Sequence, residues 1–596
     1  MPTALNHAHA GEDAPTLIDL LRLRAQRQPD DTAYVFLHNG EEPQESLTYA
    51  ELADAADTRA QLLAARGLSG HSAVLMYPSG LEFIRTLLGC MQAKVEAAPV
   101  QAPRRIKDVE RIRRIARKAG TTVMLTETSV LRDLESRFGD LEDVLGLTVL
   151  DTAELAPAMP QNAVTGVPAT APAPDDVALL QYTSGSTGDP QGVVVTHANF
   201  LANAAETDAL WPCRPDGTVV NWLPLFHDMG MLFGVVMPLW AGIPSYLMTP
   251  ASFIRRPLRW LEAIARFRGT HAAAPSFAYE LCAREAADNR TGQVGDLSSW
   301  RVAANGAEPV RWHAIRQFTE AFAPHGFRAE AMCPGYGLAE NTLKATGSDQ
   351  DREPTAVWLS ATALREGRAE LVDARIPGAV PITSSGHAVA GTLVRIVDPD
   401  TSRPCAPGTI GEIWINGPCV AAGYRGLPVA SEETFRARVK DAAGRPEDGR
   451  TYLRTGDLGF LHAGELHVAG RLKDLIIHQG RNYYPHDIEL SAEASAAGLH
   501  PNCAAAFAVA DDDRERFVIV VETDGRAMRA EGTEGLRERV ARAIREHHGL
   551  TADTVLLVRR GAIPKTSSGK VQRRACRGLY EAGDLTDLAA ASAGRR

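Results

Sequence analysis

One short loop combines residue types that could bind a polyphosphate. The glycines of this loop can adopt turn geometries closed to other residues, so successive backbone N–H groups can converge on one anion. Apolar runs at 177–182 and 193–195 are typical of strands on either side. The pattern predicts a phosphate-binding loop, although an ordinary polar turn fits the same residues. The loop consists of Thr183, Ser184, Gly185, Ser186, Thr187 and Gly188.

The loop lacks the features of a P-loop nucleotide site. No Gly-Lys-Ser/Thr ending follows it, and Pro190 and Val193 return the chain to a strand where a P-loop would open a helix. The residue after the proline is Gln191, which can donate a hydrogen bond but brings no charge. A phosphate held here therefore needs its cation from elsewhere in the chain.

Alternating strand and helix patterns must position this loop and its partners. From residue 17 to about 343, short apolar runs alternate with helical patterns, which predicts an α/β domain with a parallel sheet. Polar turns follow three further strands, at 224–230, 275–276 and 305–309. Ligands of open α/β sheets bind at such carboxyl ends of strands. We therefore expect these loops to line one site.

The chain changes character after about residue 344. Residues 345–383 look like an insertion, and residues 384–450 predict hairpins of a small antiparallel barrel or sheet. A polar stretch at 470–474 is typical of a junction between domains. The strand and helix patterns beyond it predict a compact α+β domain at the C-terminus.

Composition and charge argue against several classes of function. The chain has 596 residues and a formal net charge of −10, which disfavours nucleic acid as a partner. Eight cysteines without a Cys-x-x-Cys pair favour reduced thiols in the cytoplasm over a disulfide framework or a zinc site. No segment offers about 20 uninterrupted apolar residues, so we expect no membrane-spanning helix.

Five motifs occur in the order used by the adenylate-forming superfamily of acyl-CoA synthetases, peptide-synthetase adenylation domains and luciferases. They are Tyr-Thr-Ser-Gly-Ser-Thr-Gly (182–188), Tyr-Gly-Leu-Ala-Glu (336–340), Thr-Gly-Asp (455–457), Gly-Arg-x-Lys-Asp (470–474) and Pro-Lys-Thr-Ser-Ser-Gly-Lys (564–570). The chain therefore resembles this superfamily over nearly its whole length. The resemblance implies an α/β fold with a large N-terminal domain, residues 1–472, built of parallel sheets, helices and a small β-barrel. A small mobile α+β domain, residues 473–596, would follow it.

Within the superfamily the chain is most similar to the fatty acyl-AMP ligases. This similarity rests on the segments 222–230, 474–489 and 566–574. The passage at 345–383 matches the place where that subfamily carries an insertion thought to restrain the C-terminal domain.

The resemblance implies a role for each matching residue. Lys570 would bridge the substrate carboxylate and the α-phosphate, Glu340 would bind Mg²⁺, and Lys473 would lie at the hinge. ATP would be held by the phosphate loop, by Asp457 and Arg471 at the ribose, and by the segments that contact adenine. Those segments contain Gly306, Ala307, Glu308, Tyr336, Gly337 and Leu338.

The same resemblance indicates where the acyl chain would bind. His227, which also joins the expected catalytic residues, would line the pocket together with Phe277, Ala278 and Tyr279. Plain core packing is the alternative for Phe277 and Tyr279. Many relatives have lysine where this chain has Gln191, so we expect slower or weaker use of ATP.

The implied function is conversion of a fatty acid and ATP into acyl-AMP and pyrophosphate. Acyl transfer to the phosphopantetheine thiol of an acyl carrier protein would follow. One alternative is a fatty acyl-CoA synthetase that uses free CoA. Another is a catalytically silent nucleotide-binding scaffold, which the presence of Glu340, Asp457, Arg471 and Lys570 disfavours.

Overall fold

The structure is a computed structural model of the chain. It describes residues 13–103, 105–155, 170–183, 189–287, 294–389, 391–478, 481–496, 499–511, 514–523, 525–566 and 569–588. Five residues of the predicted phosphate loop lie outside this part of the chain: Ser184, Gly185, Ser186, Thr187 and Gly188. Within the described ranges, no helix is both long enough and apolar enough to cross a membrane.

Residues 13–155 alternate helices and strands, as their sequence pattern predicts. Thr48 begins the second helix with a capping box: its hydroxyl accepts from the Glu51 N–H, and the Glu51 carboxylate accepts from the Thr48 N–H. The elements are α1 (Leu17–Arg27), β1 (Thr32–His38), β2 (Glu42–Thr48), α2 (Tyr49–Ala65), β3 (Ser72–Leu75), α3 (Leu81–Ala93), β4 (Glu96–Pro99), α4 (Ile106–Ala119), β5 (Val123–Thr126), α5 (Thr128–Phe138), α6 (Leu141–Leu145), β6 (Thr148–Asp151) and α7 (Thr152–Leu155).

Residues 170–347 carry the strands that the predicted site loops follow. The elements are β7 (Val177–Thr183), β8 (Gln191–Thr196), α8 (His197–Leu210), β9 (Val219–Asn221), α9 (Asp228–Met231), α10 (Met237–Ala241), β10 (Ser245–Leu247), α11 (Pro250–Arg255), α12 (Leu258–Arg266), β11 (His271–Ala274), α13 (Ser276–Ala287), β12 (Val302–Asn305), α14 (Trp312–Phe322), β13 (Met332–Gly337) and β14 (Lys344–Gly347). A π-helical turn, Leu232–Val236, joins α9 to α10.

Residues 356–471 contain the expected insertion and a sheet of antiparallel hairpins. The elements are β15 (Ala356–Leu359), α15 (Ala361–Arg365), β16 (Val380–Thr383), β17 (Leu393–Val397), β18 (Gly411–Asn416), β19 (Gly423–Tyr424), α16 (Pro428–Phe435), β20 (Leu453–His462) and β21 (Glu465–Arg471). β15 and β16 pair with each other, and the hairpin sheet has the order β17-β18-β20-β21. β14 belongs to the large N-terminal sheet, so residues 345–347 of the expected insertion are part of that sheet.

The C-terminal residues form an α+β unit with its own core. A 3₁₀ turn, Leu472–Asp474, leads into β22 (Ile476–His478), β23 (Arg481–Tyr483), α17 (Pro485–Ala494), β24 (Ala504–Asp511), β25 (Arg514–Thr523), α18 (Gly525–His548), β26 (Thr554–Arg559) and α19 (Arg573–Glu581). Gly532 takes a positive φ of 73° and divides α18 into two helices. Ile488, Phe517 and Val540 are buried between the sheet β24-β25-β26 and helices α17 and α18.

The largest sheet brings the site loops together at the carboxyl ends of its parallel strands. Its order is β14-β13-β12-β11-β9-β10-β1-β2, and the six inner strands run parallel. β14 and β2 are antiparallel edge strands. A second, parallel sheet has the order β4-β3-β5-β6, and the hairpin β7-β8 pairs with β19. The carboxyl ends of β9, β11, β12 and β13 therefore lie side by side.

The insertion contacts both parts of the molecule. Leu359 and Leu364 are buried in one cluster with Phe460 of the hairpin sheet and Tyr484 of the C-terminal unit. The guanidinium of Arg365 lies 5.7 Å from the centre of the Tyr483 ring. Residues of the segment 345–383 thus pack against both the hairpin sheet and the C-terminal unit.

Candidate active site

Loops from four neighbouring strands carry most of the predicted site residues. His227 follows β9 and Phe277 follows β11, while the Gly306–Glu308 segment follows β12 and Tyr336 lies in β13. The strands are parallel, so these residues meet at one edge of the sheet. Lys570 reaches the same place from the C-terminal unit, since Gly569, directly before it, lies against the Phe277 ring.

The turn after β9 fixes an ionised carboxylate. His227 Nδ1 lies 2.6 Å from Asp228 Oδ1, and the Met229 N–H donates to the same oxygen at 2.7 Å. Burial disfavours the charged form of Asp228, but His227, Lys570 and the Met229 amide outweigh it and hold its pKa at about 2. Sequence reasoning missed Asp228, although it stands directly after His227 in a polar turn.

Lys570 sits in a closed loop among carboxylates. The Lys570 N–H donates to Thr566 Oγ1 at 3.0 Å, and the Thr566 N–H donates to the Lys570 carbonyl at 2.8 Å. Burial lowers the pKa of the Lys570 ammonium, while Asp228, Glu308 and Asp457 favour its charged form. The arrangement presents one cation at the edge of the sheet where an anionic substrate could bind.

A second carboxylate is held by two donors. Asp457 Oδ2 accepts from the Tyr336 hydroxyl at 2.8 Å, and Asp457 Oδ1 accepts from Arg471 Nε at 2.9 Å. Strand pairing sets this contact, because Asp457 of β20 lies opposite Arg471 of β21. Burial raises the pKa of Tyr336, so its hydroxyl stays a donor. The remaining lone pairs of Asp457 can accept from two neighbouring hydroxyls of a sugar.

Two glycines allow close backbone contacts at the two segments expected to contact adenine, 306–308 and 336–338. A Cβ at Gly337 would lie 1.9 Å from the Leu343 carbonyl oxygen, and one at Gly306 would lie 2.9 Å from the Gly335 carbonyl oxygen. The Leu338 N–H donates to the same Leu343 carbonyl at 2.8 Å and closes the turn. Only glycine permits these backbone contacts, which bring the ends of β12 and β13 together.

Glu340 lies in the turn that Gly337 makes possible. Its Oε1 accepts from the Tyr424 hydroxyl at 2.9 Å, and the Ala421 N–H donates to its backbone carbonyl at 2.9 Å. Burial raises the pKa of Glu340. Helix α8 bonds to the chain near Glu340 and near Tyr424. Asn203 donates to the Lys344 carbonyl at 2.7 Å, and Asn199 donates to the Val420 carbonyl at 3.2 Å. Tyr424 lies 84 positions from Glu340 and stands in no motif, so sequence reasoning did not find it.

The base of the predicted phosphate loop is a hairpin. Thr183 at the end of β7 pairs with Gln191 at the start of β8. Lys118 of α4 forms an ion pair with Asp189 and donates to the Pro190 carbonyl at 2.9 Å. Lys118 therefore contacts Asp189 and Pro190, which precede Gln191, and its spacing of 71 positions from Asp189 hid it from sequence reasoning.

The predicted acyl-pocket residues occupy different environments. The Phe277 N–H donates to Glu308 Oε1 at 2.8 Å, and the Phe277 ring lies against Gly569, next to Lys570. Ala278 is fully buried. The Tyr279 hydroxyl donates to the Ala304 carbonyl at 3.0 Å, and the Tyr279 ring packs among buried aromatic rings. Phe277 thus faces the Lys570 loop, whereas Tyr279 adopts the core-packing alternative.

The expected hinge lies in the 3₁₀ turn between the two parts. Lys473 is the middle residue of this turn, and its carbonyl accepts from Arg574 Nη2 at 3.4 Å. The assignment of Lys473 as a hinge stays a prediction.

Comparison with known proteins identifies the family. A family model described as AMP-binding enzyme matches residues 21–425, and one described as Disco-interacting protein 2-like, AMP domain, matches residues 473–589. The chain belongs to the family of AMP-binding enzymes. It is 38% identical over 575 residues to a medium-chain-fatty-acid–acyl-carrier-protein ligase of Moorena producens, with 96% of each chain covered.

Two further relatives of this AMP-binding enzyme refine the comparison. A long-chain-fatty-acid–AMP ligase of Mycobacterium tuberculosis is 35% identical over 568 residues, covering 94% of this chain and 96% of the relative. The crystal structure of a fatty acyl-adenylate ligase from Legionella pneumophila, in complex with acyl adenylate and pyrophosphate, is 33% identical with a TM-score of 0.73, covering 96% and 97%. The predicted α/β fold and the predicted resemblance to fatty acyl-AMP ligases are confirmed.

Proposed function

We propose that this AMP-binding enzyme activates a fatty acid with ATP and transfers it to the phosphopantetheine thiol of an acyl carrier protein. The observation that carries the proposal is the position of the Lys570 loop, since Gly569, directly before Lys570, lies against the Phe277 ring that follows β11. The relatives act on fatty acids by name, and the one from Moorena producens uses an acyl carrier protein. Both points support the same two-step reaction.

The first step joins two anions and therefore needs positive charge. A carboxylate oxygen of the fatty acid forms a bond to the α-phosphorus of ATP. The bond from that phosphorus to the bridging oxygen breaks, and pyrophosphate leaves with the electron pair. Lys570 would neutralise charge on the carboxylate and the α-phosphate as this bond forms. Ionised Asp228 favours the charged form of Lys570 and so keeps it ready for this task.

The nucleotide would be held by the residues around β13 and β20. Asp457, fixed by Tyr336 and Arg471, would accept hydrogen bonds from both ribose hydroxyls. The segments 306–308 and 336–338 would contact adenine. These contacts position the α-phosphate rather than react with it, so they would mainly set the affinity for ATP.

Glu340 would hold Mg²⁺. No cluster of three or more ligating side chains occurs among the residues for which the structure gives positions. A single carboxylate suits Mg²⁺, which proteins commonly bind through one or two carboxylates together with substrate phosphates. The Tyr424 hydroxyl donates to Oε1 of Glu340 and so orients the carboxylate. Mg²⁺ bound there would neutralise phosphate charge.

In the second step the carrier thiol takes the acyl group. The thiol loses its proton to solvent, and its sulfur forms a bond to the acyl carbon. The bond from that carbon to the phosphate oxygen breaks, and AMP leaves with the electron pair. This step joins one anion to a neutral carbonyl carbon, so it depends less on Lys570 than the first step does.

The test is incubation of the full chain with ATP, Mg²⁺ and fatty acids of increasing length. Separate reactions contain no acceptor, free CoA or a phosphopantetheine-bearing carrier protein, and acyl-AMP, acyl-CoA and acylated carrier are measured by mass spectrometry. We expect acyl-AMP in every reaction and acylated carrier without acyl-CoA. Efficient acyl-CoA formation would instead favour the CoA-dependent alternative. Absence of acyl-AMP with every fatty acid would overturn the proposal.

A further inference from the structure

The C-terminal unit meets the N-terminal part through buried polar contacts close to Lys570. Arg311, only 4% exposed at its side chain, lies 3.5 Å from Glu493 of α17. Gly569, directly before Lys570, has a φ of 86°, and a Cβ there would lie 2.8 Å from the Phe277 ring. The loop that carries Lys570 is therefore seated tightly against the N-terminal part.

One side chain joins three partners at this interface. Asn502 is 7% exposed, and its Oδ1 accepts from Arg311 Nη2. Its Nδ2 donates to Glu308 Oε2 at 3.3 Å and to the Gly569 carbonyl at 3.4 Å. These contacts form the Asn502 bridge, which runs from a cation and a carboxylate of the N-terminal part to the residue before Lys570.

Both N-terminal partners of the bridge are themselves fixed. Arg311 Nη1 donates to Glu280 Oε2 at 3.0 Å, and both side chains are almost fully buried. Glu308 accepts from the Phe277 N–H through its other oxygen at 2.8 Å. Paired partners of this kind, of which Arg311 is buried, hold a side chain in one geometry, because an unmade hydrogen bond there is costly.

We propose that Asn502 is a positioning residue for adenylation and acts through Lys570. Its amide fixes the Gly569 carbonyl, and the Thr566–Lys570 hydrogen bonds transmit that position to the lysine. The inference rests on the role proposed for Lys570. Asn502 therefore supports formation of acyl-AMP and is dispensable for acyl transfer from acyl-AMP that is already made.

The backbone at Asn502 provides a clean variant. Its φ of 56° lies in the left-handed region, which glycine adopts without strain. Asn502→Gly thus removes the bridge and leaves the backbone relaxed. Asn39, exposed and with a φ of 51°, supplies the matched control Asn39→Gly. Asn502→Asp separates the two halves of the bridge, since it keeps the acceptor for Arg311 but loses the donors and adds a charge beside Glu308.

The experiment measures both half-reactions of the full chain. Pyrophosphate release reports adenylation, and acylation of a carrier protein from supplied acyl-AMP reports transfer. For Asn502→Gly we expect kcat of adenylation to fall about 10- to 100-fold, the typical cost of a misplaced catalytic group. Transfer and the control Asn39→Gly should stay within about twofold of wild type, and Asn502→Asp should resemble Asn502→Gly.

A double variant separates positioning from general damage. In a Lys570→Ala background, Asn502→Gly should reduce adenylation less than about twofold further, because residues that act as one unit are not additive. Equal losses in both half-reactions, additive losses in the double variant, or unchanged adenylation would each overturn the proposal.

Amide hydrogen exchange tests the bridge without any activity. In Asn502→Gly the amides of Gly569 and Lys570 should exchange faster, whereas Asn39→Gly should leave them unchanged. If the wild-type chain forms no acyl-AMP, the proposed function fails by itself. In that case faster exchange at this loop still supports positioning by Asn502, and unchanged exchange overturns it.

Discussion

The proposed first step depends mainly on the ammonium group of Lys570. Asp228, Glu308 and Asp457 favour its charge and none of them belongs to its own domain. Carboxylates of the N-terminal part therefore stabilise the charge of a lysine that belongs to the C-terminal unit. Removal of its charge should affect the step that joins two anions far more than it affects binding of the nucleotide.

Lys570→Ala should lower kcat for pyrophosphate release about 100-fold or more, as loss of a transition-state donor does elsewhere. The KM for ATP should change much less, because Asp457 and the segments that contact adenine remain. The control is Arg577→Ala, which removes an exposed cation of α19 paired only on the surface with Glu581. Pyrophosphate release at the wild-type rate by Lys570→Ala would contradict the assignment.

Tyr336→Phe isolates the hydroxyl that orients Asp457. A hydrogen bond to a charged group contributes about 1.5–3 kcal/mol, so the KM for ATP should rise about 10-fold while kcat stays within about twofold. Tyr452→Phe is the matched control, because it removes a similar 2.8 Å bond to Asp448 in the hairpin sheet. Steady-state kinetics with varied ATP checks this. A fall in kcat without a change in KM would argue against a ribose contact at Asp457.

The site residues that sequence predicted are those inside contiguous motifs. Lys570, Glu340 and Asp457 each stand in a short signature whose spacing carries the information. Asp228 and Asn502 act through partners on distant elements: Asn502 bonds Glu308 across 194 positions. No local pattern encodes such a contact, so only the assembled structure brings it into view.

At the scale of elements, the parallel strands of the central sheet position the turns that carry the site residues. Each strand of the central sheet ends in a turn, and the turns meet because the strands share a direction. Short apolar runs and helical patterns predicted most of these elements. They could not predict strand order, because β19 pairs with β8 more than 200 residues away, and such pairing depends on global packing.

Gly337→Ala tests the turn that carries Glu340. A Cβ 1.9 Å from the Leu343 carbonyl oxygen must displace that turn, so the free energy of unfolding should fall by about 1–3 kcal/mol and adenylation should slow. Gly578→Ala in α19 meets no atom within 4 Å and should preserve both stability and activity. Urea unfolding and pyrophosphate release measure the two effects. Wild-type behaviour of Gly337→Ala would show that the turn tolerates a Cβ.

At the scale of the whole molecule, the two parts meet through a buried apolar cluster and through charged and amide side chains. Arg311 pairs with Glu280 on its own side and with Glu493 across the interface, and Asn502 completes the contact. Polar interfaces between domains are typical of parts that move relative to each other. The polar contacts of this interface lie close to Lys570, whereas its apolar contacts join Tyr484 to Leu359 and Phe460.

The interface should also respond to pH through Glu493. Burial, reinforced by Glu489 and Glu280, raises the pKa of Glu493 to about 7 even though Arg311 favours its charge. The folded state therefore holds a proton that the unfolded chain releases near pH 4.5. The contribution of Glu493 to stability should fall as pH rises from about 4.5 to about 7, by at most about 1.4 kcal/mol per pH unit, and stay constant above that range.

Glu493→Gln keeps the oxygen that accepts from the Cys503 amide at 2.9 Å but cannot titrate. The gap in unfolding free energy between Glu493→Gln and wild type should therefore widen in favour of the variant over this window, whereas exposed Glu581→Gln should run parallel to wild type. Parallel curves for Glu493→Gln and wild type would contradict a raised pKa at this interface.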